Sequence, residues 1–264
     1  MKQISLIAFV LCSFLLLLPP AAQAALVTAD TTLTFVPASG NTNRITLTVE
    51  AINLSDSDTA TVSGNILSRL TLNYDPFTGS LGSVTGLELR GGTAHISDLN
   101  FDLDAGWLGG ATAEGRNLAA SFDTPSPPGP VTGTSFPTSA HTVIMNAGTL
   151  HVEGYGVAGA AVPDTDINLA NDPLEASTDA TGTLNVALAG VSELVATYNV
   201  NLSLPVEIHE SQDVGVTVNI DSSASTFVAT GSFTLPLTAV PEPSTLTCLV
   251  GMAAMGIFFA LRRK

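Results

Sequence analysis

Arg44-Ile45-Thr46-Leu47-Thr48-Val49 alternates polar and apolar side chains without a break. Successive side chains of an extended chain point to opposite faces, so Ile45, Leu47 and Val49 share one face and Arg44, Thr46 and Thr48 the other. This is a half-buried strand, because a helix would space its apolar residues three and four apart. The pattern recurs in Thr31–Val36, Ile66–Tyr74, Val84–Leu89, His95–Leu103, Val143–Val152, Gly182–Leu188, Leu194–Leu204, Val214–Ile220 and Phe227–Leu237. Clusters such as Ser39-Gly40-Asn41 and Asp221-Ser222-Ser223 separate the runs, and nothing between Ala25 and Ala239 has helical period with caps. The span reads as all-β, an antiparallel β-sandwich or barrel, with its last four runs spaced closely enough for a meander.

Composition fits that reading. The 264 residues are 45% hydrophobic and 12% charged, about half the charged share of an ordinary soluble protein. An antiparallel sheet can stay soluble without many charges by covering its outer face with Thr, Ser and Asn. Eight Lys and Arg stand against 23 Asp and Glu, a net charge of −15, which excludes electrostatically driven binding to nucleic acid or anionic lipid. Cys12 and Cys248 both lie in apolar terminal stretches, so the middle of the chain has no thiol for a disulfide framework or a thiolate metal site.

The two ends read as addresses. Lys2 precedes the apolar run Ile4–Leu18, Pro19-Pro20 break it, and Ala22-Gln23-Ala24 supply small residues before Ala25. Residues 1–24 are therefore predicted to be a signal peptide, with Ala22, Ala24 and Ala25 presented to signal peptidase. As a helix, the run would span about 22 Å, short of a hydrocarbon layer of roughly 30 Å. At the other end, Val240-Pro241-Glu242-Pro243-Ser244-Thr245 leads into apolar Leu246–Leu261 and then Arg262-Arg263-Lys264. The apolar run predicts a short transmembrane helix of about 24 Å. The basic tail acts as a stop-transfer signal that stays on the cytoplasmic side, leaving the middle of the chain facing out.

This order of extended strip, apolar helix and basic terminus resembles the PEP-CTERM sorting signal of exported proteins in Gram-negative bacteria, with Pro241, Glu242 and Pro243 on its namesake positions. The resemblance implies that Val240, Pro241, Glu242, Pro243 and Ser244 are a recognition motif read by an exosortase, a membrane-embedded processing enzyme of organisms that make exopolysaccharide. It is confined to the C-terminal segment. The expected organisation is a signal peptide at 1–24, an exported β domain at 25–239 and a sorting signal at 240–264. The stiff strip Thr124-Pro125-Ser126-Pro127-Pro128-Gly129-Pro130 is a candidate linker within the domain or a long surface loop of it.

The exported span carries few signs of chemistry. Asp164-x-Asp166-x-Asn168, with Glu175 at the twelfth position of the same frame, has the oxygen-ligand spacing of a calcium loop, so Ca²⁺ is its candidate ion. Leu169, however, stands where that loop needs Gly, and Pro163 and Pro173 oppose flanking helices. Asp98, Asn100, Asp102 and Asp104 share one face of a strand and read as a solvated surface. His95, His141, His151 and His209 show no paired zinc spacing, and no nucleophile elbow or phosphate loop appears. No residue pair is singled out as catalytic, Glu88 with Asp102 included, and no other cofactor is implied. Trp107, Tyr74, Tyr155 and Tyr198 are the candidate aromatic platforms for a sugar, with the lone Trp107 weighted towards a packing role.

The sequence thus predicts a non-enzymatic exported protein of the cell surface or extracellular matrix. Its expected partners are signal peptidase, an exosortase-type enzyme, exopolysaccharide and, at least transiently, the membrane. A calcium-dependent or carbohydrate-binding adhesion module and a secreted polysaccharide hydrolase are the alternatives.

Overall fold

The computed structural model describes residues 24–51, 53–176, 180–192, 194–213 and 217–238. Ala22 and the rest of 1–23, the strip Val240–Ser244, the apolar run Leu246–Leu261 and Arg262, Arg263 and Lys264 lie outside the described residues. No helix among the described residues is long and apolar enough to cross a membrane.

Sixteen strands follow one another: β1 (Ala25–Phe35), β2 (Arg44–Ala51), β3 (Leu54–Asp75), β4 (Ser80–Ile96), β5 (Leu99–Asp104), β6 (Gly109–Asp123), β7 (Gly129–Pro130), β8 (Ser135–Pro137), β9 (Thr142–Gly156), β10 (Thr165–Asn168), β11 (Leu174–Ala176), β12 (Thr181–Val191), β13 (Val195–Val206), β14 (His209–Asp213), β15 (Thr217–Ser222) and β16 (Ser225–Pro236). They form one curled antiparallel sheet whose main path runs β10-β9-β6-β4-β3-β1-β16-β13-β12-β8. Among the described residues the hydrogen-bonded path is open between β10 and β8.

Period-two alternation places the core as the sequence predicts. Ile45, Leu47 and Val49 are buried, and with Leu33, Ile66, Leu70, Leu87 and Leu99 they join one apolar cluster. The outer face carries hydroxyl and amide pairs across strands beside the charged Asp30–Arg69 pair. Thr46 and Thr59 meet at 2.8 Å, as do Thr48 and Ser57, and Asn73 donates to Ser83 at 2.8 Å. Each such pair contributes a few tenths to about 1 kcal/mol.

Two expectations are corrected. The last runs are not a simple meander: β13 pairs along its whole length with β16, so the β14–β15 hairpin finds its partner edge on β2. The run His95–Leu103 is two strands, because the chain turns at Ser97-Asp98, where the Ser97 N–H donates to Thr61 O at 3.0 Å. The Pro-rich strip 124–130 lies against β4, where Gly129 pairs with Leu87. There the Thr124 hydroxyl accepts the buried Leu89 N–H at 2.6 Å.

The long β3 has an edge shared by two partners, β2 as far as Thr61 and β1 from Asn65. Asn43 fills the seam between them. Fully buried, at φ 51°, it accepts the Val62 N–H at 2.8 Å and donates its own N–H to Thr226 O at 2.9 Å. Its side-chain amide donates to Val36 O at 2.6 Å and Val228 O at 2.8 Å, and accepts the Val228 N–H at 2.7 Å. Asn tolerates the left-handed backbone and offers donors and an acceptor at once, which no apolar residue can do.

His141 is a second buried polar group. The Thr124 hydroxyl, already accepting from Leu89, shares a hydrogen bond with His141 Nδ1 at 2.6 Å. The other ring nitrogen, Nε2, is buried without a hydrogen-bond partner. Desolvation pushes the imidazole down to about 4.

Two outcomes follow. Asn43→Ala leaves the Val36 carbonyl and the Val228 N–H unpaired at a strained φ, a loss of about 3–5 kcal/mol, read as a fall of roughly 10 °C in Tm. His141 remains neutral in the fold while an unfolded histidine protonates near pH 6.5, so between pH 6.5 and about 4 the unfolded state binds the extra proton and stability falls with acidity. The effect reaches roughly 3 kcal/mol at the acid limit. Urea melts at pH 7 and 4.5 should lose more stability in the natural protein than in His141→Gln.

Candidate functional site

The register puts both ends of the described chain at one end of the sheet. β1 begins with Ala25 opposite Tyr74, and β16 ends with Pro236 opposite Val195. Tyr74, buried, donates its hydroxyl to Pro236 O at 2.9 Å, and Tyr198 donates to Gly79 O at 2.6 Å. The two rings meet edge-on at 6.4 Å. Beyond β16 the Leu237 N–H donates to Leu194 O and the Thr238 N–H to Pro76 O, both at 2.8 Å. The β3–β4 turn, the β12–β13 tip, the start of β1 and the chain exit at Thr238 are thereby tied together.

The opposite strand ends hold an exposed aromatic surface. β4 runs away from the exit, β6 pairs with its far portion at Thr93–His95, and β6 extends further in that direction to Gly109. There Gly109, at φ 88°, opposes Gly156, at φ 69°. A Cβ on Gly109 would stand 2.6 Å from the Gly156 Cα, so only this glycine pair lets the strands approach. The contact brings the 3-10 turn Gly106–Leu108 beside the end of β9, gathering exposed Trp107, Leu108, Tyr155 and Val157. Trp107 is 91% exposed.

Tyr155 sits opposite Gly110 on β6, and its hydroxyl reaches past that strand to donate to Asp102 Oδ1 of β5 at 2.8 Å. This bond, helped by desolvation and the charge of Asp104, pushes the phenol up to about 12. Asp104 accepts the Gly106 N–H at 2.7 Å, fixing the turn that carries Trp107. β5 is itself fastened by side chains of β3: Asp58 accepts the Asn100 N–H at 2.8 Å and Asp56 the Asp102 N–H at 2.7 Å. An exposed indole at the same end of the sheet as an exposed phenol and carboxylate acceptors offers a stacking face and hydrogen-bond acceptors. Trp107 is therefore not the packing anchor the sequence weighting favoured. Tyr74 and Tyr198, named with it as platforms, are buried.

A family model describing the PEP-CTERM protein-sorting motif matches residues 239–264. The C-terminal segment is a PEP-CTERM sorting motif. It begins one residue after Thr238, where the last described hydrogen bond ties the chain to the sheet. Compared with curated proteins and with solved structures, the chain matches none.

The PEP-CTERM strip Val240–Ser244 and the basic tail lie outside the described residues, as does Ala22, whereas Ala24 and Ala25 are exposed at the start of β1. Of the candidate calcium residues, Asp166 and Asn168 lie on β10 and Glu175 on β11, with Asp164 just before β10. Asp164 and Asp166 flank His151, at 3.8 and 2.9 Å from its Nδ1. The Asp166 bond raises that imidazole above its ordinary value. Asn168 accepts the Ala170 N–H at 2.9 Å, and Glu175 pairs in register with Ile144. Leu169, in the position a calcium loop reserves for Gly, is fully buried, which anchors an extended strand and turn there. Among the described residues no three His, Cys, Asp or Glu side chains gather round a metal-sized point. Glu88 pairs with Arg90 at 3.5 Å, and Asp102 with Tyr155, on separate strands.

The Tyr155–Asp102 bond is directly measurable. Asp102→Asn removes the carboxylate charge that holds the phenol high, so the Tyr155 titration should move from about 12 towards the ordinary value near 10. Tyrosine-selective NMR through alkaline pH reads this. An unmoved Tyr155 would contradict the geometry.

Proposed function

We propose that this chain is a non-enzymatic protein exported through its signal peptide, processed by an exosortase-type enzyme at residues 240–244, and delivered to the cell surface or matrix, where it associates with exopolysaccharide. The PEP-CTERM motif at 239–264, joined directly to the folded sheet, carries this reading. It is supported at the other end by β1 beginning at Ala25, the residue after the expected cleavage point. Polysaccharide is the partner that the Trp107–Tyr155–Asp102 surface fits best: the rings can stack on the C–H faces of neutral sugars while Asp102 and Asp104 accept their hydroxyls.

Intact mass of the protein recovered from its own host tests the sorting step. Loss of the segment following the Pro241-Glu242-Pro243 strip is expected, and a mass still including Leu246–Lys264 would contradict processing. Affinity electrophoresis through gels containing host exopolysaccharide tests the partner. Trp107→Ala should abolish retardation while leaving Tm unchanged, because the side chain is almost wholly in solvent. Equal retardation of both proteins would contradict this binding surface.

A further inference from the structure

The end of the sheet from which the PEP-CTERM motif leaves also carries exposed apolar side chains. Leu26 at the start of β1 is 67% exposed and Leu194 at the β12–β13 tip 62%. Phe77 in the β3–β4 turn and Leu188 and Val191 near the same tip are exposed with them. Along β12 every residue from Ala187 to Val191 is exposed, so this hairpin projects past the core with neither face covered. The Asp75 carboxylate is engaged within the β3–β4 turn, accepting the Phe77 N–H at 2.9 Å and the Thr78 hydroxyl at 2.7 Å. Apolar turns gathered at one end of a monomer mark a contact surface.

What covers this rim follows from where the chain goes. Thr238 is fixed to Pro76 among these turns. Only seven residues, 239–245, separate it from the apolar run beginning at Leu246. Fully extended, they reach at most about 25 Å. Resting on the reading of 246–261 as a membrane helix, we infer that Leu26, Phe77, Leu188, Val191 and Leu194 dock on the bilayer surface that holds the tail. Contact of this kind is driven by burying apolar side chains at the headgroup boundary. It needs no basic patch, so it is compatible with a net charge of −15. Docking at several points would hold the domain with its exit against the membrane, where a membrane-embedded enzyme reads residues 240–244, and with Trp107 directed outward.

The test uses the full-length mature chain in vesicles of phosphatidylethanolamine and phosphatidylglycerol. Fluorophores are placed on single cysteines at 77, 191, 194 or 107 in a Cys248→Ser background, and on native Cys248 in a separate sample. Nitroxide lipids should quench labels at 77, 191 and 194 several-fold more strongly than the label at 107, and Leu194→Asp with Val191→Asp should remove the quenching at 77 without lowering Tm. If Cys248 is quenched by lipid and the rim labels are not, docking is overturned while the membrane tail stands. If Cys248 is not quenched either, both readings fail. Rim labels shielded from aqueous iodide but untouched by nitroxide lipid would show a protein occupant, a second copy or the chain's own tail, and would also overturn the inference.

Discussion

Everything in this fold turns on how the two edges of β3 are shared. A buried strand must pair its backbone along its whole length, and β3, at 22 residues, is longer than either partner on its first edge. β2 covers one half and β1 the other, and the three-residue gap between them would leave unpaired groups in the core but for Asn43. Its amide closes the seam to β1 and β16 while its own carbonyl continues the β3 ladder. Because β16 carries β13 and β12 behind it, the same residue couples the half of the sheet that holds the chain exit to the half that holds the β2–β15–β14 extension.

That continuity gives the sheet two functionally distinct ends. At one, Tyr74 and Tyr198 spend their hydroxyls on backbone carbonyls and tie the exit at Pro236–Thr238 to two turns. At the other, a glycine–glycine contact brings the 3-10 turn against the end of β9, and Trp107 and Tyr155 are exposed at that end. Aromatic residues are used in opposite ways, as buried clamps where the chain leaves and as solvent-facing plates where nothing anchors it.

Much of the β architecture is legible in the sequence because alternation is a direct consequence of the pleat. Arg44–Val49 reads as a strand and is one, and the same holds for the cores of β1, β4, β9, β12, β13 and β16. β6 escapes notice because Gly109-Gly110-Ala111-Thr112-Ala113 offers small side chains with little contrast, although Ala111 and Ala113 do face the core. The first half of β3, Leu54-Ser55-Asp56-Ser57-Asp58, lies in none of the alternating runs; it pairs in register with β2, and Asp56 and Asp58 bond to β5 about 40 residues away in sequence, a contact invisible to local pattern. Asn43 is hidden for a related reason: next to Ser39-Gly40-Asn41 it looks like a turn residue, and only tertiary packing makes it a core one. The sorting signal is readable outright because it is a linear motif, whereas Tyr155 with Asp102 joins residues on strands separated by β6. The signal that was available was the lone Trp107 in a glycine-rich turn, which position alone could not distinguish from an anchor.

The central claim is that the tail end of the sheet faces the membrane and the aromatic end faces away. Trp107 is the chain's single tryptophan, so it is a built-in donor for energy transfer to dansyl-labelled lipid headgroups in vesicles carrying the full-length protein. The account predicts weak transfer from Trp107, together with a blue shift of its emission when exopolysaccharide is added to the outside. Strong transfer to the headgroups, with emission indifferent to the polysaccharide, would place the aromatic surface on the bilayer and contradict it.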